Sequence, residues 1–471
     1  MTLDAVVAAN RFGLGARPGE LEVARDDARA WLEKQIVGPR ALPHEIRRLP
    51  PSTDVFKTYS ELRQDRNQRR KAQSEKAQSD GEAAKRVLGA LRTKLAPFYL
   101  DQVAARYRVA VTTAESFRER LVHFWTNHFA VSADKPQVLA LAGTLENEAI
   151  RPHVAGRFAD LLAAVEAHPA MILYLDNQAS IGADSQLAQR RGRRVAANGR
   201  KLGINENLAR EILELHTLGV DGGYTQQDVT TFAQALTGWS LGTDRVPGGG
   251  EPGKFTFHDG AHEPGAKTIL GTRYTQSGVA QPRAVLADLA KHPATARHLA
   301  LKLARHFIAD EPPPDAVERI AKAFRDSDGD LPTVYRALLD TPAAWAGLAV
   351  KFKTPHELVV SSLRMLDFVP AEPRQIAAPF DLLGQRPYTP GSPAGWPDTA
   401  TQWDGADALL KRIEWAGSVA ARIAGRAQPL SLGEQALGAA LSERTRLAIA
   451  RAASAEQGIT LLLASPEFQR R

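Results

Sequence analysis

Residues 98–129 decide the fold class of the chain, and they read FYLDQVAARYRVAVTTAESFRERLVHFWTNHF. Large apolar residues recur in this stretch at the spacing of one helix face. The residues that keep this spacing are Phe98, Val103, Tyr107, Val111, Phe117, Leu121, Phe124 and Trp125. Thr112 or Thr113 is expected to cap the second of two helices. Glu115 and Glu119 would then lie in its first turns, where the helix dipole favours negative charge.

The same periodicity continues along the chain beyond this stretch. We predict further helices over residues 140–150, 157–167, 205–217, 226–236, 282–289, 294–309, 314–325, 332–339, 355–367, 404–424, 433–452 and 456–464. Thr225 and Asp330 precede two of them and are expected N-caps. The sequence therefore predicts a mainly α protein, a large multi-helix globular body that forms one unit over residues 1–471.

Three segments depart from the helical pattern. Residues 61–86 are rich in charged side chains and poor in large apolar ones, so we expect a solvated charged insertion there. Residues 240–278 are dense in glycine, and the alternation K-F-T-F at residues 254–257 predicts a short hairpin within a loop-rich excursion. Residues 368–401 are rich in proline and too apolar for a linker, which predicts an ordered loop that wraps the core.

Composition excludes several classes of site and partner. The chain has no cysteine, which rules out disulfides, thiolate nucleophiles, iron–sulfur clusters and cysteine-based zinc sites. Its net charge is +7, with basic clusters at residues 63–70 and 190–201, but no aromatic residues interleave with those charges. Nucleic acid is therefore not an expected partner, because bases stack on aromatic side chains.

Membrane and export signals are not visible in the sequence. No run of about 18 residues is apolar enough for a transmembrane segment. Residues 1–11 lack the basic and apolar regions of a secretory signal, so the expected location is the cytoplasm. A trimmed N-terminus would leave the periplasm or export open.

The predicted helix over residues 205–217 carries the first candidate site. Asn207, Glu211 and Glu214 share one face of this helix, beside an apolar face. A carboxylate at such an edge is partly buried and needs a cation, a metal or a proton. Glu211 and Glu214 are therefore candidate catalytic residues or metal ligands, with Asn207 as a binding residue. A buried ion pair with Arg210 explains the same pattern.

Residues 121–129, which read LVHFWTNHF, carry the second candidate site. His123 and Asn127 lie one turn apart and face the same way, which makes them candidate catalytic residues. His128 lies about 140° around the helix from His123, so the two histidines cannot easily share one metal. The alternative is a hydrogen-bonded core histidine on an aromatic face.

A cationic stripe forms the third candidate site. His298, Lys302 and His306 recur every fourth residue on the predicted helix over residues 294–309. The stripe could pair with the acidic face that contains Glu211, or bind an anionic group such as phosphate or sulfate. An exposed basic helix face is equally consistent with the pattern.

The loop over residues 257–263 offers two imidazoles and two carboxylates within a few positions. His262 and Glu263 are its candidate metal ligands, together with His258 and Asp259, and loops on a rigid scaffold often carry function. An ordinary exposed loop can have the same composition, so a loop without a metal is the alternative.

Several strings along the chain also match one family pattern. They run from NRFGLG at residues 10–15 to SPAGWP at residues 392–397, and the specific ones cover residues 123–129, 205–219, 224–239, 262–271 and 353–355. Together they resemble the bacterial proteins catalogued as domain of unknown function 1800. Trp125, His128, Arg210 and Lys267 lie within these strings and are predicted binding residues. Relatives often carry Phe at the position of His216, which argues against His216 as an essential ligand.

The resemblance implies no settled reaction. Members of the family often lie beside genes for sulfatase-like proteins, which implies a sulfatase-like protein as a partner. Many members also carry export signals, whereas this sequence shows none.

Two functions stay open from the sequence. The first is an enzyme of acid–base or hydrolytic chemistry, assisted by a divalent metal ion as cofactor. Its polar site would gather Glu211, Glu214, His123, Asn127 and His262. The second is a non-catalytic helical scaffold or accessory protein that binds a sulfatase-like partner. The sequence contains no nucleophile elbow, P-loop or well-placed dinucleotide fingerprint.

Overall fold

The structure is a computed structural model that describes residues 2–73, 80–195, 203–243, 249–347, 351–423, 425 and 428–471. Helices dominate it, so the prediction of a mainly α protein is confirmed. The α-helices span Leu3–Val7, Glu20–Ala24, Ala28–Glu33, His44–Arg47, Ser52–Gln73, Asp80–Thr112, Ser116–His128, Ala142–Leu145, Phe158–Glu166, Pro169–Tyr174, Gln186–Val195, Asn207–Glu211, Gln226–Ala235, Ala280–Lys291, Pro293–Phe307, Pro314–Asp326, Leu331–Leu339, Pro355–Met365, Pro373–Leu382, Ala406–Ile423, Pro429–Leu437, Glu443–Ala450 and Ala455–Leu463.

Wider and tighter turns interrupt or extend these helices. Turns with π-helical hydrogen bonding span Ala8–Phe12, Glu146–Ile150 and Ile212–His216. Short 3₁₀ turns span Asn177–Ala179, Asp259–Ala261, Pro342–Ala344, Ala400–Gln402 and Gly438–Ala440. Among the described helices, none combines the length and the apolarity that a membrane crossing needs.

The capping chemistry explains why several helices begin where they do. Thr225 and Asp228 form a reciprocal capping box at the start of Gln226–Ala235, which confirms Thr225 as an N-cap. Asp330 accepts a hydrogen bond from the Thr333 N–H (3.1 Å) and caps Leu331–Leu339, as predicted. Both caps satisfy backbone donors that the first helical turn leaves without partners.

Two details of the helix prediction are wrong. Neither Thr112 nor Thr113 caps the helix Ser116–His128; Thr113 Oγ1 instead accepts a hydrogen bond from the Glu115 N–H (3.0 Å) one position before the helix. Residues 433–452 form two helices rather than one, because Gly438 adopts φ +48° and turns the chain between them.

Two antiparallel strand pairs lie in the segment that is predicted to be rich in loops. Trp239–Leu241 pairs with Phe255–Phe257, so the alternating residues 254–257 do contribute a strand. Lys267–Ile269 pairs with Thr272–Tyr274 across a two-residue turn. Both turn residues, Leu270 and Gly271, have positive φ, which matches the twist of a tight hairpin.

The proline-rich segment over residues 368–401 is ordered and contains the helix Pro373–Leu382. Its last part, residues 387–399, is called the proline-rich loop below. The basic cluster at residues 190–201 is helical as far as Val195, and its remainder lies outside the described residues. The charged insertion predicted over residues 61–86, which includes the basic cluster at residues 63–70, lies outside the described residues only at residues 74–79. The described backbone there is helical as far as Gln73 and again from Asp80.

One main cluster of buried apolar side chains draws on residues from Val7 to Phe468. The helix Ser116–His128 runs through this cluster, and its Phe117, Leu121 and Trp125 side chains are fully buried. Because the helix is enclosed on several sides, its polar residues Glu119, Arg120 and His123 are buried as well. Buried charges need partners, and those partners form the candidate site.

Replacing Gly15 by alanine is predicted to destabilise the fold more than Gly265→Ala. Both glycines have positive φ, +100° and +88°, so alanine carries backbone strain of about 1–2 kcal/mol at either position. At Gly15 the added Cβ would also lie 2.5 Å from Ser361 Cβ, whereas nothing lies within 4 Å at Gly265. Overpacking should add roughly 1–3 kcal/mol at Gly15 alone. Equal free energies of unfolding in urea for the two variants would contradict this packing.

Candidate active site

A cavity of about 380 Å³ lies beside the buried helix Ser116–His128. The helices Asp80–Thr112, Pro293–Phe307 and Pro355–Met365 and the proline-rich loop complete its walls. Its titratable lining residues are Arg106, Tyr107, Arg120, His123, His128, Lys302, Arg305, His306, His356, Glu357, Tyr388 and Asp398. The volume is that of a site for a small molecule.

Three lining side chains form a hydrogen-bonded chain that ends beside one buried carboxylate, and the four residues are called the histidine relay below. Tyr107 Oη lies 2.8 Å from His356 Nδ1, and His356 Nε2 lies 2.9 Å from His123 Nδ1. His123 Nε2 lies 3.3 Å from Glu119 Oε1. The relay therefore connects the cavity to a carboxylate in the protein interior.

The charge states of the relay follow from burial and from nearby arginines. Burial lowers the pKa of His356 well below its usual value, and His123 and Arg106 lower it further. Burial and Arg106 also lower the pKa of His123. Burial alone would raise the pKa of Glu119, but Arg151 and the adjacent His123 hold it well below its usual range.

Both imidazoles are therefore neutral near pH 7, and Glu119 is ionised. Each neutral ring carries one N–H, and Glu119 can only accept. The two hydrogen bonds must then run in one direction, from the Tyr107 hydroxyl to His356 and from His356 to His123, which leaves His123 Nε2 beside the Glu119 carboxylate. This polarity prepares His356 to receive a proton from the cavity side.

Glu119, His123 and Glu146 each place a ligand atom within 4.8 Å of the others, and no other such group of three occurs in the described part of the chain. Two guanidinium groups already occupy these carboxylates. Arg151 pairs with Glu119 (2.8 Å) and Glu146 (3.2 Å), and Arg106 pairs with Glu146 (2.6 Å). A divalent cation would add uncompensated charge to this buried and balanced set. We interpret the group as an ion-pair network that supports the relay.

A second network lines the cavity around Glu357. Arg120 forms an ion pair with Glu357, and Arg471 Nε lies 2.7 Å from the same oxygen. The Glu357 carboxylate also accepts a hydrogen bond from the Thr354 N–H (2.9 Å) as part of a capping box. Although burial opposes it, these partners lower the pKa of Glu357 to about 2. Glu357 is thus ionised, and both of its carboxylate oxygens already have partners.

The third lining network joins His306 to the proline-rich loop. His306 Nδ1 lies 2.6 Å from Asp398 Oδ2, and the Arg120 Nε–H donates to His306 Nε2 (3.2 Å). Burial lowers the pKa of His306 to about 4, so its ring is neutral near pH 7. Lys351 lies 3.6 Å from Asp398. Both acidic residues of the lining therefore already have cationic partners.

Asn127 joins the proline-rich loop to the buried helix through two hydrogen bonds. Its Nδ2 donates to Trp396 O (2.9 Å), and its Oδ1 accepts from the Trp396 N–H (2.7 Å). Gly395 has φ +84°, and a side chain there would press on the Asn127 carbonyl. Both ends of the amide are engaged, so the geometry gives Asn127 a positioning role for this wall of the cavity.

A family model described as "Protein of unknown function (DUF1800)" matches residues 7–470. The chain belongs to this family. The resemblance seen in the sequence is thereby confirmed, and every lining residue of the cavity lies within the DUF1800 match. Comparison with curated proteins gave no match, and comparison with solved structures gave none either.

The sequence-predicted residues of the buried helix divide into two groups. His123, Asn127 and His128 line the cavity of this DUF1800 chain. Trp125 does not, because its Nε1 donates to Tyr335 Oη (2.6 Å) within the core. His128 faces the neighbouring helix through Nε2, which lies 3.2 Å from His216 O.

The acidic face does not join this cavity. Asn207, Arg210, Glu211 and Glu214 are not among the lining residues. Arg210 pairs with Glu214 (3.4 Å), so an ion pair is present, but the Arg210 side chain is about a third exposed rather than buried. Burial raises the pKa of Glu211, but the structure does not bring Glu211 and His123 into one site. The two segments meet instead at His128 and His216.

The loop with the predicted metal ligands also lies apart from the cavity. His262 Nδ1 lies 3.0 Å from Thr237 O, and the Glu263 carboxylate accepts from the Asp184 N–H (2.9 Å). Lys267 Nζ donates to Glu263 O (2.7 Å). Within the described residues no third ligand completes a metal group with His262 and Glu263. The polar atoms of His262, Glu263 and Lys267 instead contact backbone groups, so the structure does not support a metal there.

The sequence prediction missed Tyr107, His356, Glu119 and Glu146 as members of the site. Tyr107 fits the apolar face of its helix, and His356 lies 233 residues from His123 in the chain. One signal was available in the sequence F-R-E-R-L at residues 117–121, where three consecutive charged residues lie between Phe117 and Leu121 on an otherwise largely apolar helix. Charges on a helix that is apolar on most sides indicate buried ion pairs.

Asn127→Ala is expected to loosen the proline-rich loop. The variant loses two hydrogen bonds, which should cost about 1–3 kcal/mol and make residues 387–399 an early site of limited proteolysis. Asn205→Ala is the matched control, because Asn205 also makes two side-chain bonds to backbone, away from the cavity. If mass spectrometry finds the same cleavage order in both variants, Asn127 does not hold the loop.

Arg151→Met is predicted to cost roughly 3–5 kcal/mol of stability, because it strips compensating charge from buried Glu119 and Glu146. Arg210→Met is the control, since its part-exposed ion pairs are each worth about 1 kcal/mol or less. Denaturant unfolding gives both values. A wild-type melting temperature that rises by several degrees with stoichiometric Zn²⁺ or Mn²⁺ would contradict the ion-pair interpretation of this group.

Proposed function

We propose that the chain is an enzyme that removes a proton from a small substrate in the cavity, with Tyr107 and His356 as the proton-transfer pair. The histidine relay carries this proposal. It offers an unbroken path of 2.8 Å and 2.9 Å hydrogen bonds from Tyr107 through His356 to His123, with Glu119 behind them. General acid–base catalysis needs a titratable group within such reach of the substrate.

The proton steps balance without a cofactor. Tyr107 Oη accepts the proton from a substrate hydroxyl, or from a water that attacks the substrate, while its own proton passes to His356 Nδ1. The positive charge that forms on His356 spreads to His123 through their hydrogen bond. Ionised Glu119 stabilises that charge, and Arg151 fixes the orientation of the carboxylate. The oxygen that lost the proton forms a bond to the reacting atom of the substrate, the bond from that atom to the leaving group breaks, and the proton returns along the same path to the leaving group.

The pKa directions set the resting charge states of the proton-transfer pair, and the lowered pKa of His356 makes it a weak base until its charge is shared. Burial raises the pKa of Tyr107, so the phenol keeps its proton until His356 accepts it. The lowered pKa of His356 keeps a neutral base in the site at physiological pH. A buried base that shares its charge with a second ring and a carboxylate can accept a proton at modest cost.

The positioning residues also favour an enzyme. Asn127 holds the proline-rich loop against the cavity, and Glu357 and Asp398 are held by arginine and lysine partners. Fixed polar groups around a cavity are the arrangement that acid–base catalysis requires. A scaffold that binds a sulfatase-like protein is the second function that the sequence predicts, and that partner stays a prediction.

Turnover by the relay can be tested before the substrate is identified. Wild-type protein is incubated in D₂O with a small-molecule extract, and mass spectrometry records consumed compounds and incorporated deuterium. We expect Tyr107→Phe and His356→Gln to lower the conversion at least about 100-fold, which lies within the range for one acid–base group. Metal chelation should leave the conversion unchanged.

Tyr335→Phe is the matched control for the tyrosine variant. Tyr335 is buried and hydrogen-bonded like Tyr107, but its hydroxyl contacts Trp125 and Val154 O outside the cavity. This variant should keep turnover. Full activity of the two relay variants, or an inactive wild-type protein that co-purifies with a second chain, would overturn the proposal in favour of the scaffold.

A further inference from the structure

The charges of the cavity do not cancel. The acidic lining residues are Glu357 and Asp398. Glu357 pairs with Arg120 and Arg471. Asp398 lies beside Lys351 and His306. Arg106 is likewise neutralised by Glu146 (2.6 Å). Lys302 and Arg305 are the remaining cationic residues of the lining. Among the described residues, neither has a carboxylate within ion-pair distance, and Arg305 donates only to the backbone oxygen of Asp310 (3.2 Å).

The histidines of the lining do not alter this imbalance. Burial keeps His123, His128, His306 and His356 neutral near pH 7, because it lowers the pKa of each ring. The cavity therefore holds a net positive charge from Lys302 and Arg305. A cleft with uncompensated cations attracts anions, since field lines concentrate between low-dielectric walls.

We propose that Lys302, supported by Arg305, binds the oxyanion group of the substrate, so that this enzyme acts on small molecules with a carboxylate, sulfate or phosphate group. That the bound anion is a substrate rests on the proposed function, but the anion site itself does not depend on turnover. Lys302 and Arg305 follow one another by three positions on the helix Pro293–Phe307, so both can reach the same wall of the cavity. Tyr107, His123 and His356 of the histidine relay line the same cavity from other helices, so one bound molecule can contact both groups.

The electrostatic surroundings of Lys302 give the site a defined pH range. Burial lowers the pKa of Lys302 to about 8, Asp398 opposes that shift and Arg305 adds to it. The rings of His128 and His298 also lie near enough for Lys302 to lower their pKa, so they stay neutral in the same range. The ammonium is therefore present at pH 7 and is lost as the pH rises through about 8.

The test uses the full-length protein with sodium sulfate, phosphate or acetate as probes and sodium chloride at equal ionic strength as reference. Calorimetric titration and thermal unfolding measure binding to wild type, Lys302→Met and Lys302→Arg. We expect saturable binding of at least one oxyanion to wild type at pH 7. Lys302→Met should bind about 10- to 100-fold more weakly, as expected for losing one charged hydrogen bond.

Lys302→Arg should rescue binding and should keep it at pH 9, where wild type loses it, because a guanidinium does not deprotonate there. Lys322→Met is the matched control: Lys322 lies on the neighbouring helix, is exposed and pairs with Asp326, so this variant should bind as wild type does. The proposal is overturned if none of the three probes binds wild type above chloride, or if Lys302→Met binds them unchanged.

The failure of this site is distinguishable from failure of the proposed function. Tyr107→Phe and His356→Gln should bind the oxyanion normally while turnover is lost. If the relay variants stay active but Lys302→Met loses the anion, only the proposed chemistry fails. If the relay variants lose turnover while Lys302→Met binds anions normally, only the anion site fails.

Discussion

The ion pair between Glu119 and Arg151 is the interaction on which the site depends. Glu119 lies on a helix that is enclosed by apolar packing, so its carboxylate has no access to bulk water. An unpaired carboxylate in that position would take up a proton, because burial disfavours the charged form. Arg151 keeps it ionised through two parallel hydrogen bonds. The ionised carboxylate lies 3.3 Å from His123 Nε2, and His123 is in turn hydrogen-bonded to His356 (2.9 Å).

A local departure from regular helix geometry makes this pairing possible. Residues 146–150 form a π-helical turn, and the Arg151 N–H donates to Glu146 O (2.8 Å) across five residues. In a regular α-helix, residues five apart point about 140° away from each other. The wider turn brings Glu146 and Arg151 to the same side, where their side chains meet (3.2 Å) and both face Glu119. Turns of this kind occur often at functional sites, and here the reason is visible: the turn concentrates charge at one point in the core.

The sequence predicts the elements of this protein better than it predicts the site. Periodicity identified the helix around His123 and the cap at Thr225, because both depend on neighbouring residues. The relay depends on contacts between Tyr107, His123 and His356, which no local pattern encodes. The acidic face at Glu211 does not line the cavity, and the sequence could not show this for a physical reason. An ion pair on a half-buried helix face and a catalytic carboxylate both place acids at helical spacing, and only the packing of other segments separates them.

The energetic cost of the site argues for its use. Replacing buried ion pairs by apolar side chains of similar size is often neutral or stabilising, so a chain selected for stability alone would gain little from such networks. In this chain two networks of buried charge and a third, partly exposed one meet at a single cavity, and two further cations, Lys302 and Arg305, remain without acidic partners among the described residues at its wall. Uncompensated charge is a cost to folding that a bound anion would relieve. The arrangement is therefore better explained as a site that completes its charge balance with a ligand than as packing that happens to be polar.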